Sequence, residues 1–159
     1  MRMTTWKMAA ALALLVAAQA ACGEGAGRKA ARALARRNSC IASELALDAK
    51  ERLASLDTAV VASQGTPLER ATLASHMFVS AYKAWADASS RAADYTDSAS
   101  VARSREDSVK FAGMADQARP RAVPAGSVEA NAAASYNSDF SRAFGNPDHP
   151  CNQLDRKSD

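Results

Sequence analysis

Residues 66–85 read Thr66-Pro67-Leu68-Glu69-Arg70-Ala71-Thr72-Leu73-Ala74-Ser75-His76-Met77-Phe78-Val79-Ser80-Ala81-Tyr82-Lys83-Ala84-Trp85. Ala71, Phe78, Tyr82 and Trp85 share one stripe at helical spacing, with Leu73, Met77, Ala81, Ala84 and Ala88 beside them, the pattern of an amphipathic helix and not of a strand. The stretch opens on a capping box, because the Thr66 hydroxyl can accept from the Glu69 amide while the Glu69 carboxylate reaches back to the Thr66 amide. Pro67 then stands at the first helical position, where its missing N–H costs nothing. A helix is expected over 67–95, and it carries four of the nine aromatic residues of the chain.

Working outward, Ile41, Leu45, Ala49, Leu53, Leu56 and Val60 recur at steps of three and four, which predicts a helix over 40–62 ended by Ser63-Gln64-Gly65. Downstream, Asp97 or Ser98 can cap a third helix over 98–117, with a weaker face of Val101, Val109, Phe111 and Met114. The prolines and glycine of residues 119–126 mark a linker. Ser127 caps a fourth helix over 127–144 with Val128, Ala132, Tyr136, Phe140 and Phe144 at steps of four, stopped by Gly145 and Pro147. Residues 146–159 read as an irregular tail. No run alternates apolar and polar residues as a strand would. The expected fold is all-α: a small antiparallel four-helix bundle over 40–145.

The first residues say where such a bundle goes. Arg2 and Lys7 lead into the apolar stretch Met8–Ala18, which at about a dozen residues is short of the roughly 20 needed to span a bilayer and reads as a signal peptide over 1–21. Two cleavage readings stand side by side. Ala18-Gln19-Ala20 is a small-x-small site that would release a soluble chain near Ala21. Gln19-Ala20-Ala21-Cys22 resembles the lipobox of bacterial lipoproteins, with Gln19 standing where an apolar residue is usual. That resemblance implies a diacylglycerol on the Cys22 thiol and a membrane partner through N-terminal acyl chains. Gly23-Glu24-Gly25-Ala26-Gly27 then begins a flexible, basic tether over 22–39. Arg28, Lys29, Arg32, Arg36 and Arg37 give this tether five positive charges, read as a solvated Arg/Ala extension or as a patch for anionic headgroups.

The cysteines sharpen the leader. Cys22, Cys40 and Cys151 make an odd count, and acylation of Cys22 would leave Cys40 and Cys151 as a pair for one disulfide in an oxidising compartment. An up-down-up-down bundle brings the two together by placing the start of the first helix beside the end of the fourth. The alternative is two unpaired thiols, and no metal-ligand spacing accompanies them.

Composition and motifs limit the chemistry. Alanine supplies 39 of the 159 residues, favouring helix while burying little area per residue. From Cys22 onward only 26 of 138 positions hold Val, Ile, Leu, Met, Phe, Trp or Tyr, which predicts a thin core. The same segment has 18 basic and 17 acidic side chains, so no charge excess points to nucleic acid. No phosphate loop, nucleophile elbow or paired metal motif is present. His76 lacks the Cys-x-x-Cys-His context of attached haem, and His149 beside a bridged Cys151 has no thiolate to activate. The reading is no catalytic residue, no cofactor and no metal. The expected protein is a lipid-anchored, non-catalytic binding or scaffolding module of the bacterial envelope with an envelope protein as partner. The alternative is a soluble secreted carrier of a small apolar ligand or cofactor, with Phe78, Tyr82 and Trp85 as its ligand face, although a bundle this poor in large residues needs those rings as core first.

Overall fold

A computed structural model describes the backbone of residues 5–154 and the side chains of residues 25–154. It contains α1 (Thr5–Ser63), α2 (Glu69–Val101), α3 (Arg105–Ala118) and α4 (Val128–Gly145), followed by a 3-10 turn at Pro150–Asn152. Among the described residues there is no strand, and the helices pack as an all-α bundle.

α1 and α2 form a hairpin whose register is written in their polar contacts. Ser39 bonds Asp94, Ser43 meets Ser90 at 2.8 Å, and Asp57 meets His76 at 2.8 Å, so each step forward along α1 is matched by a step back along α2. α4 lies across this hairpin and closes the core. Ala46, Ala49, Ala86 and Ala132 are buried there with Tyr82 and Tyr136, and Leu45, Phe78, Val79, Trp85 and Phe140 pack against them. The alanines are therefore not a diluted core. They form a seam that lets helix backbones approach closely enough for the two tyrosines to meet edge to face, centroids 5.8 Å apart.

The segment expected to be a flexible tether differs most from expectation. Backbone helix is continuous from Thr5 through Gly23–Gly27 into the hairpin, so residues 22–39 are part of α1. Alanine and arginine are strong helix formers, and Gly25 and Gly27 tolerate the helix with open space around them. Tertiary contacts add to this preference: Ala35 is buried, and Arg32 and Arg36 converge on Asp97 of α2 at 3.5 and 3.6 Å. The side chains of the leader, including Cys22, lie outside the described residues.

Asp97 explains a second difference. Neither it nor Ser98 caps a helix, because α2 runs on to Val101. The Asp97 carboxylate serves α1, the Ser98 hydroxyl donates to the Asp94 carbonyl, and the Ser100 hydroxyl donates to the Asp97 carbonyl. Ser104 caps α3 instead, with an extended backbone and its oxygen accepting from the Asp107 amide.

The start of α2 is also displaced. Thr66 Oγ1 accepts from the Leu68 amide at 3.3 Å, while Glu69 Oε2 accepts from the Gly65 amide at 3.0 Å. The expected reciprocal bonds are thus shifted by one residue, with Pro67 and Leu68 in the turn. Gly65 has φ 72°, which closes that turn. Ser127 caps α4 as expected, accepting from Ala130.

Candidate functional site

The chain's most constrained corner joins α1 to the residues after α4. Cys40 and Cys151 are bonded with Cα atoms 5.7 Å apart. Cys151 is fully buried, and the 3-10 turn carrying it is capped by His149, whose Nδ1 accepts from the Cys151 amide. His149 Nε2 lies 3.3 Å from Glu44 of α1. Arg37 completes the clamp: its guanidinium lies 3.7 Å from the centre of the Phe144 ring and donates to the Phe144 carbonyl and to Asn152 Oδ1. Asn152 in turn donates to the carbonyls of Ala143 and Phe144 near the end of α4.

Glu44 and the two sulfurs are close enough to suggest a metal cluster. Bridged sulfurs, however, are not thiolates and offer no strong ligand. This corner is a fastening of the helices, held by side chains that come together only in the fold.

Phe78, Tyr82 and Trp85 are where the periodicity places them, yet they do not form an open face. Tyr82 is buried, with its hydroxyl donating to Asp139 at 3.0 Å, and Phe78 and Trp85 pack against the same cluster. These rings supply core that a bundle rich in alanine otherwise lacks, Tyr82 as a buried residue and Phe78 and Trp85 as partly buried ones packed against it. Burial raises the Tyr82 phenol pKa well above its usual value, and the bond to Asp139 adds to the effect.

A cleft of about 370 Å³ opens nearby, lined by Asn38, Thr96, Arg119, Pro120, Tyr136 and Phe140 among others. Two of its lining residues carry buried polar atoms with no hydrogen-bond partner among the described residues, Asn38 Oδ1 and the Tyr136 hydroxyl. Tyr136 is only 3% exposed. Burial raises its pKa, and the neighbouring Ser89 side chain opposes that rise without closing a well-formed bond. A second cleft, of about 490 Å³, lies where α2 ends and α3 begins, with Arg28, Arg103 and Arg105 around it.

Other polar side chains of the helices have structural partners. His76 bonds Asp57 across the hairpin, Asp94 accepts from Ser39, and Asp107 belongs to the Ser104 cap. Sequence reasoning missed Asn38, the clamp that Arg37 makes on Phe144 and Asn152, and the convergence of Arg28 with Arg103 and Arg105. Spacing carries no signal for residues brought together from different helices.

No family model matches this sequence, and no curated protein or solved structure matches it either. Among the described residues no helix is long and apolar enough to cross a membrane.

Proposed function

We propose that this protein is an exported, lipid-anchored helical module of the bacterial envelope that works by binding and not by catalysis. The observation that carries the reading is the Cys40–Cys151 bridge. Disulfides persist in oxidising compartments, and this one commits two of the three cysteines, leaving Cys22 in its lipobox-like setting for the acyl chains. Exposed apolar side chains around the α1–α2 turn, Val61 at 67%, Leu68 at 68% and Met77 at 56% exposure, offer contacts to an envelope protein partner.

Intact mass of the purified mature protein, with and without reduction, tests this. The expected result is a chain beginning at Cys22 with a diacylglycerol-sized increment, and a gain of two hydrogens on reduction. An unmodified chain beginning at Ala21 overturns the anchor.

The cleft with the unpartnered Asn38 and Tyr136 atoms favours a second reading, a soluble carrier of a small molecule that has both an apolar face and a hydrogen-bonding group. Trp85 packs against the same cluster as Tyr136, so its fluorescence reports occupancy. No response across a panel of such ligands eliminates the carrier.

A further inference from the structure

Three arginines distant in sequence meet at one end of the molecule. Arg28 comes from α1, Arg103 from the connection after α2, and Arg105 from the first residue of α3, and all three line the same cleft. Among the described residues none of them forms an ion pair, whereas Arg32 and Arg36 are matched by Asp97. The acids closest in sequence to the α3 pair are Glu106 and Asp107, and Asp107 is engaged by the Ser104 hydroxyl. Nor do the cleft's serines lend donors, since Ser100 and Ser108 donate to the carbonyls of Asp97 and Ala99. The recognition chemistry left is three guanidinium groups, each a fork of N–H donors suited to a phosphate.

The same end is the one from which α1 continues toward Cys22. The helix is unbroken between Cys22 and Arg28, so six residues at 1.5 Å each put the cleft roughly 9 Å along the axis from that cysteine. A phosphate within that reach of an acylated residue belongs to a lipid headgroup.

We propose that the Arg28–Arg103–Arg105 cleft seats the phosphate of an anionic lipid headgroup and docks this end of the bundle on the bilayer surface. The choice of lipid over free phosphate rests on the anchored reading above; the phosphate chemistry does not. Binding of the purified mature protein is measured on vesicles of phosphatidylcholine alone and of phosphatidylcholine mixed with phosphatidylglycerol. Acyl insertion is common to both, so the difference between them reports the cleft. The expected gain on anionic vesicles is about a hundredfold, at roughly fivefold per arginine held near the surface.

R103E/R105E and the neutral R103Q/R105Q lose most of that gain with helical content unchanged, while R70E, at the far end of α2, keeps it. Equal binding of wild type and R103Q/R105Q to anionic vesicles overturns the proposal. So does thermal stabilisation by inorganic phosphate that depends on Arg103 and Arg105 without any gain on anionic over neutral vesicles, which assigns the cleft to free phosphate. Failure of the anchor is read separately by mass: a chain beginning at Ala21 that still prefers anionic vesicles keeps this cleft and loses only the acyl chains.

Discussion

Arg37 combines three contacts in one side chain: a cation over the Phe144 ring, a donor to the Phe144 carbonyl and a donor to Asn152. The planar fork makes these compatible, because the face of the guanidinium stacks while its edge donates. Replacing Arg37 with Ala leaves the Asn152 and Phe144 acceptors without this donor, and charge-assisted bonds of this kind contribute about 1.5–3 kcal/mol. A loss in that range is expected in chemical denaturation, with R37K recovering little of it since an ammonium cannot stack and fork together. Equal stability of R37K and wild type would show that charge alone matters here.

The tyrosines give a second prediction at the same scale. Both phenols have pKa values raised above the usual 10 by burial, Tyr82 further by Asp139. Between the unfolded and folded values the native state holds protons that the unfolded chain has released, so stability falls as pH rises there. The contribution is complete below pH about 10 and declines above it. Thermal melts at pH 8 and pH 11 should therefore separate for wild type, and the Y82F/Y136F double variant should narrow that separation.

At the scale of the element, the alanine seam sets how closely helices pack. Ala86 and Ala132 have no exposed surface, and they sit in the cluster that also holds Ala46 and Ala49. Enlarging Ala86 to Leu has no void to fill and is expected to cost about 1–3 kcal/mol through overpacking. Leu47→Ala, at a residue 56% exposed, should change stability by less than about 0.5 kcal/mol. Comparable urea midpoints for the two variants would argue against a close-packed seam. Helix existence was legible because the apolar steps of three and four depend only on local geometry. Boundaries were less so. Asp97 and Ser104 are both good caps by type, and the choice between them turned on Arg32 and Arg36, some sixty residues upstream. The glycines after Cys22 likewise favour a tether locally, while the helix that follows them is docked through Ala35 and Asp97.

For the whole molecule, the Cys40–Cys151 bridge spans 111 residues and closes α1 against the end of the chain. Under the chain-entropy account a loop of that length contributes about 4.7 kcal/mol. Cys151→Ser, or reduction, is expected to lower the urea midpoint by a large fraction of total stability, given that a domain this size has about 5–15 kcal/mol in all. Unchanged midpoints with and without reductant would place the constraint elsewhere, in Arg37 and Asn152. The sequence by itself determined the helical class, the apolar faces of α1 and α4, the capping of α4 and Cys40 with Cys151 as the pair to be bridged, because each depends on spacing along the chain or on a simple count; the third face did not hold, as Val101 ends α2 and Val109 is exposed. Only the tertiary structure decided that residues 22–39 are helix, that Arg37 clamps Phe144 and Asn152, and that Arg28, Arg103 and Arg105 share a cleft. Those outcomes depend on distances between helices, and the approach of one helix to another is set by packing across the whole bundle.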